Sequence, residues 1–282
     1  MIKKIKINFC DWWPGFNKTD NYFFNLLKLE FEVEISENPD YLFYSVFGTK
    51  HLQYDCVKIS YIGENMAPKF IGTDRKGEGA DYTFSFDYMD DNRNYRLPHY
   101  LLYDGYYDLV NKKNIEKNLA NRKFCNFVAS NGNCSERNTF VQQLSKYKKV
   151  DCGGKWMNNI GYSIDDKVKF QSQYKFSIAF ENNAYRPAYE WYITEKIMQP
   201  MTVNSIPIYS GGSRVINDFN KKSFISLHDF GYVGELIQYI IELDNDDDKY
   251  LEMLKQPWFN DNQIPDNNKI ENIKSFLYKI FY

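Results

Sequence analysis

The sequence predicts an α/β protein in two halves. Short apolar runs rich in β-branched and aromatic residues alternate with polar turns and with stretches of helical periodicity. That alternation lapses between Tyr88 and Asn118, where the chain turns polar and irregular, and it restarts at Arg122. The length, 282 residues, is enough for two domains of ordinary size, so the expected division falls near residue 120.

In the first half Ile2 to Phe9 alternates Ile with Lys and reads as a strand. Asp11-Trp12-Trp13-Pro14-Gly15 is a loop carrying two large rings, and Asn21 to Leu29 is a short helix through Phe23, Phe24, Leu26 and Leu27. Phe31 to Ile35, Tyr41 to Phe47, Val57 to Ile62 and Thr83 to Phe86 are further strands. In the second half Phe124 to Ala129 is a strand, Ser130-Asn131-Gly132-Asn133 a turn and Glu136 to Tyr147 a helix. Asp151-Cys152-Gly153-Gly154-Lys155 reads as another turn, and Asp165 to Gln171 as a short helix. Val215 to Phe219, Val233 to Leu243, Lys249 to Leu254 and Ile270 to Phe281 complete the helices, with a strand at Phe224 to Leu227.

The most informative stretch is Tyr174 to Ser213. Phe176 to Phe180 is a buried-type strand ended by Glu181, Asn182 and Asn183. Ile193, Ile197, Met198 and Met201 then recur at helical spacing, with Thr194 at the helix start and Glu195 in the first turn, where the macrodipole favours an anion. Ile206 to Tyr209 is a second strand, and Gly211-Gly212 lets the backbone turn sharply. Ligands of open α/β sheets sit beyond the carboxyl ends of the strands, where Phe-Glu-Asn and Thr-Glu-Lys both fall.

Composition narrows the class. Apolar residues make up 43% and charged residues 26%, enough for a core under a soluble surface. A net charge of −2 argues against a general nucleic-acid binder. The 24 Tyr and 22 Phe are read mainly as coding bias, and otherwise as surface for stacking on sugars. Five scattered cysteines with no C-x-x-C pair point away from a disulfide framework and towards a reducing compartment. The start MIKKIKINFCDWW has no continuous apolar segment of signal-peptide type, and no apolar run reaches the ~20 residues that span a bilayer. The expected location is the cytoplasm, and peripheral contact with the inner membrane is the one membrane role left open.

Candidate chemistry follows from position. Arg137 stands in the first turn of a helix whose free N–H groups suit an anion, and its planar fork suits phosphate oxygens. Lys196 is a second cation at a helix start, beside Glu195. A cation there opposes the dipole unless an anion accompanies it, so the pair reads either as a diphosphate site or as two surface residues. Glu64 closes a strand in Tyr61-Ile62-Gly63-Glu64-Asn65, and partial burial would suit it to accept a proton from a hydroxyl; the alternative is a loop carboxylate bonded to backbone. His51, His99 and His228 form no zinc pattern. The run Asp244 to Asp248 reads as a solvated turn rather than a magnesium site.

Several ordered motifs resemble the α-1,3/1,4-fucosyltransferases, in particular the short bacterial type. They are Phe180-Glu181-Asn182, Tyr192-Ile193-Thr194-Glu195-Lys196 and Ile206-Pro207-Ile208-Tyr209-Ser210-Gly211. Phe127 to Asn131 with Arg137-Asn138, and Tyr61 to Asn65, extend the likeness, which covers residues from about 55 to 258. The loop Asn183 to Trp191 is longer than the family's, with Glu190-Trp191 where a Gly usually precedes the Tyr.

The resemblance implies the GT-B fold, two Rossmann-like domains facing across a cleft. Residues 1–120 would bind the acceptor, 121–265 the nucleotide sugar, and 266–282 would form a C-terminal helix packing back on the first domain. It implies inverting transfer of fucose from GDP-fucose to an oligosaccharide acceptor, α-1,3 to GlcNAc or glucose of a lactosamine- or lactose-type glycan. By position, Glu64 would be the base. Arg137 and Lys196 would hold the diphosphate, and Asn182, Tyr192 and Glu195 would line the donor pocket. No cofactor and no obligatory metal are expected, and the oligomeric state is undetermined. Two alternatives stay open, a GT-B transferase using another nucleotide sugar and a catalytically silent glycan-binding relative.

Overall fold

The computed structural model describes residues 2–65, 77–112, 121–182 and 190–282. The chain forms two compact units, Met1–Leu102 with Asp266–Tyr282, and Tyr103–Pro265. Residues 103–112, expected in the first domain, therefore belong to the second. Their anchors explain why. Tyr106 packs on Phe259 at 5.1 Å between ring centres, and Lys112 Nζ lies 3.3 Å over the Trp258 ring.

In the first unit the described residues build a six-stranded parallel sheet, ordered β2-β1-β3-β4-β5-β6. The strands are β1 (Lys4–Cys10), β2 (Glu32–Ile35), β3 (Tyr41–Tyr44), β4 (Val57–Ile62), β5 (Tyr82–Ser85) and β6 (Asn94–Arg96). β1 is paired on both sides, so its alternating Ile-Lys start gives way to a continuously buried end from Ile7 to Cys10. Helix α1 (Tyr22–Leu27) starts on Asn21, whose Oδ1 accepts the Phe24 N–H at 3.0 Å. Its Phe23 meets Phe43 and Phe84, each at 5.1 Å. The C-terminal helix Ile270–Lys279 lies alongside: Phe276 packs edge-on to Phe84 at 5.2 Å and Tyr278 Oη donates to Leu26 O. The sequence pattern does not mark β6. It has three residues and no apolar run, and only its pairing with β5 makes it a strand.

A buried polar knot closes the carboxyl end of β1. Asp11 accepts the backbone N–H groups of Lys50 (3.0 Å) and His51 (2.9 Å), and lies 2.7 Å from His51 Nδ1. His51 in turn stacks on Tyr44 at 4.1 Å. Burial alone would raise the Asp11 carboxyl, but these hydrogen bonds outweigh it and hold the group below the ordinary aspartate value. Asp11→Ala leaves the Lys50 N–H, the His51 N–H and His51 Nδ1 without their carboxylate partner and is expected to cost about 1–3 kcal/mol. Since the folded pKa is depressed, that contribution is complete above about pH 4 and fades as the pH falls further. Urea unfolding of parent and variant from pH 7 to pH 3 checks this, and a gap that fails to narrow towards acid would refute it.

In the second unit the described residues form a five-stranded parallel sheet, ordered β11-β10-β9-β7-β8. The strands are β7 (Lys123–Phe127), β8 (Val150–Cys152), β9 (Tyr174–Phe180), β10 (Ile206–Ser210) and β11 (Ile225–Ser226). β9 is central, which is why its sequence is nearly all apolar. Helix α2 (Ser135–Leu144) packs on it through Phe140, stacked on Phe180 at 4.6 Å. The short α3 (Lys167–Gln171) precedes β9, and α4 (Glu195–Thr202) buries Ile197, Met198 and Met201. Arg122 ties down the far end of α4 by donating to the carbonyls of Val203 and Asn204. β8 occupies part of the expected turn at Asp151 to Lys155, because pairing with β7 overrides a segment too short to show strand periodicity.

The acidic run is a solvated turn only in part: Asp247 and Asp248 are exposed, but Asp244 is buried. The Asp244 side chain is 2% exposed, and Tyr147 Oη and Lys148 Nζ each donate to its Oδ2 at 3.0 Å. Asp246 caps the next helix, Asp247–Lys255, by accepting the Lys249 N–H.

Candidate active site

A cluster of charges gathers at the carboxyl end of β9. Glu181 follows the strand, and its side chain is 0% exposed. Its carboxylate accepts the Thr194 N–H at 2.7 Å and the Thr194 hydroxyl at 2.8 Å, and Lys196 Nζ lies 3.2 Å away. Lys196 also donates to Thr194 Oγ1 at 3.0 Å and sits 3.5 Å from Glu195, whose other cation is Lys167 at 3.8 Å. Burial pushes the Glu181 carboxyl up, while Lys196 and the Thr194 donors pull it back. Burial works against the Lys196 charge too, but Glu181 and Glu195 overcome it and hold the ammonium well above the usual lysine range. Thr194 is thus the α4 N-cap predicted from sequence and also the clamp on Glu181.

Arg137 comes from the first turn of α2. It is 3% exposed, so it is not a surface residue. Its guanidinium lies over the Phe127 ring, donates to Asn131 O and keeps Nε buried without a hydrogen-bond partner. Burial lowers its pKa, and the nearby Glu181 charge works the other way. Cys134, which caps α2, touches Glu181 O through its thiol at 3.9 Å, so the α2 start and the β9 end converge. Asn182 Oδ1 is likewise buried and unpartnered, and Tyr192 is buried at 4%. The structure therefore gathers Arg137, Tyr192, Glu195 and Lys196 around Glu181 and Asn182.

Two glycines permit this closeness. A Cβ on Gly211 would stand 2.4 Å from Glu181 Cγ, and one on Gly212 would stand 2.5 Å from Glu190 O. Gly212 N donates to Tyr192 O, and Arg214 pairs with Glu190 at 2.9 Å and faces the Trp191 ring. Glu190-Trp191 is thereby pinned to the β10 turn; Asn183 and the rest of the loop up to 189 lie outside the described residues. A cavity of about 800 Å³ opens beyond β7 and β8, lined by Ser130, Gly154, Lys155, Asn158, Asp165 and Lys167. Its volume suits a nucleotide. A larger one, about 950 Å³, flanks the edge strand β11 and holds none of the predicted donor residues.

In the first unit Glu64 stands just past the carboxyl end of β4 and is half-buried. Gly63 before it is needed because a Cβ there would lie 2.7 Å from the Tyr61 ring. Asn65, 6% exposed, has both amide atoms buried without partners. Beside this strand end Trp12 stacks on Tyr61 at 5.5 Å, and Trp13 meets Phe47 and His99 edge-on. Phe47 is 45% exposed, an apolar face of the kind sugar rings stack on. Among the described residues no group of three or more His, Cys, Asp or Glu could hold a metal ion.

Comparison with known proteins now decides the family. Residues 7–103 match the alpha-(1,3)-fucosyltransferase FucT N-terminal domain, and residues 117–276 match the glycosyltransferase family 10 (fucosyltransferase) C-terminal domain. The chain belongs to the family 10 fucosyltransferases. It is 33% identical over 289 residues to the alpha-(1,3)-fucosyltransferase FucT of Helicobacter pylori, covering 89% of this chain and 59% of that protein's length. A crystal structure of an alpha1,3-fucosyltransferase with GDP-fucose superposes with a TM-score of 0.79 at 28% identity, covering 99% of this chain and 91% of the other. A partial likeness, 32% over half of this chain, extends to GDP-fucose protein O-fucosyltransferase 3 of Xenopus tropicalis. The fold is therefore of the GT-B type, with a parallel sheet in each unit.

In the second unit the structure brings the motif residues Arg137, Asn182, Tyr192, Glu195 and Lys196 together. The sequence reading missed Glu181 and Lys167. Glu181 is legible in the sequence as the polar end of a strand and as part of the Phe180-Glu181-Asn182 motif, and a carboxylate between a core Phe and a motif Asn is the signal that could have marked it. Among the described residues no helix is long and apolar enough to cross a membrane, and the peripheral contact left open finds no support.

Proposed function

We propose that this chain is an inverting fucosyltransferase that moves L-fucose from GDP-fucose to a hydroxyl of a glycan acceptor, forming an α-1,3 bond to GlcNAc or glucose of a lactosamine- or lactose-type sugar. The observation that carries the donor side is the pair of desolvated cations, Arg137 and Lys196, set beside buried polar atoms that lack partners, Arg137 Nε and Asn182 Oδ1. Such atoms are costly to leave unmatched, and a diphosphate with its sugar supplies both acceptors and donors. In this reading the cations stabilise the charge that collects on the departing GDP. Tyr192, Asn182 and Glu195 line the sugar and ribose side.

Glu64 takes the proton from the attacking hydroxyl. A β-linked donor attacked from the opposite face gives an α-linked product, so one base on the acceptor side suffices. Trp13 and Phe47 offer the apolar face against which an acceptor ring would rest. The test is an incubation of the protein with GDP-fucose and N-acetyllactosamine, with the product linkage assigned by NMR. Fucose α-linked to O3 of GlcNAc is expected. Calorimetry against GDP-fucose, GDP-mannose and UDP-galactose completes it, and absent binding of GDP-fucose would overturn the reading.

A further inference from the structure

We propose that Glu181 is a positioning residue for the donor diphosphate, standing behind Lys196 to hold its ammonium charged and aimed at the ligand. The inference rests on the reading of Lys196 as a diphosphate ligand. Its geometry is independent of that reading. Both carboxylate oxygens are fixed: Oε1 accepts the Thr194 N–H, and Oε2 accepts the Thr194 hydroxyl while facing Lys196 Nζ. The hydroxyl relays the contact, because Oγ1 also accepts from Lys196 Nζ at 3.0 Å. Gly211 lies against the methylene of Glu181, where a Cβ would stand 2.4 Å from its Cγ, so the lack of a side chain at Gly211 is what lets Glu181 occupy this position. The result is layered. The carboxylate has no exposure, whereas the Lys196 side chain keeps 26%. An anion arriving from solvent meets the ammonium and not the carboxylate.

The second consequence is electrostatic. Lys196 is faced by Glu181 from the β9 end, Glu195 from its own helix, Tyr192 from the preceding loop and Lys167 from α3, with Arg137 beside Glu181. Taking away the Glu181 charge leaves Glu195 to face Lys196 against the cations Lys167 and Arg137. A desolvated ammonium in that setting sheds its proton at lower pH.

The experiment compares GDP affinity in the parent and in Glu181→Gln between about pH 7 and pH 9, read as the ratio of the two so that titration of GDP itself cancels. The expected ratio is small at pH 7 and grows about tenfold by pH 9, as Lys196 neutralises in the variant only. Glu181→Asp is expected to restore part of the loss. Thr194→Val, which keeps the carboxylate and removes the relay, is expected to show a smaller rise and serves if the Gln variant fails to fold. A ratio that stays constant with pH, whether near one or well above it, would reduce Glu181 to a cap on α4 and overturn the proposal. Lys196→Ala with parental GDP affinity would instead overturn the donor reading itself, which separates the two failures.

Discussion

Glu64→Gln is expected to reduce fucose transfer by about 10²- to 10⁴-fold while GDP-fucose still binds with parental affinity. The amide keeps the size of the side chain, so the loop after β4 is retained and only proton acceptance is lost. Glu64 belongs to the first unit, whereas the proposed donor residues all belong to the second, so donor affinity gives an internal control. The loss belongs in kcat rather than in the donor KM, because the interaction forms only as the hydroxyl loses its proton. Steady-state kinetics and calorimetry on one preparation settle the matter. Turnover within a few-fold of parent would remove Glu64 as the base, and a parallel loss of donor binding would point to misfolding.

Lys196→Ala and Arg137→Ala are both expected to weaken GDP binding, and unequally. A charge-assisted hydrogen bond is worth about 1.5–3 kcal/mol, or about 10- to 150-fold in Kd. Among the described residues Arg137 makes no ion pair with a carboxylate, so its removal costs that contact and little else. Lys196 shields the buried Glu181. Its removal deletes a cation and bares an anion at the same place, so the larger loss, upwards of about 100-fold, is expected there. Adding Glu181→Gln to Lys196→Ala removes the bared charge and is expected to recover part of the affinity. Equal losses in the two single variants, or a double variant weaker than Lys196→Ala alone, would contradict this account. Circular dichroism at the binding temperature guards against loss of fold.

Much of this site was readable in one dimension because its parts obey local rules. Thr194 announced a helix start by residue type and by the periodic Ile197, Met198 and Met201 behind it. Arg137 was placed in a first turn by the strand–turn–helix grammar around Ser130 to Ser135. Central strands such as β9 show themselves because burial on both faces demands an unbroken apolar run. Two of the short strands do not. Val150–Cys152 and Asn94–Arg96 owe their state to the neighbour each pairs with, and nothing within three residues encodes that neighbour. The same reason explains Asp244, which sequence placed in water and the fold placed under Tyr147, Lys148 and Lys175.

For this protein, then, sequence alone determined the α/β class, the ordered motifs of the family and the residue types of the proposed chemistry: a strand-end carboxylate in the first unit, and two helix-start cations with a polar motif between them in the second. Tertiary structure alone decided what those charges do to one another. Glu181 and Lys196 are fifteen positions apart along the chain, yet their charged atoms lie 3.2 Å apart because the cap of α4 folds back on the end of β9. Charge coupling depends on distance and desolvation, and both are set by packing rather than by spacing in the chain. That is why the cation was visible in the sequence and the carboxylate that governs it was not.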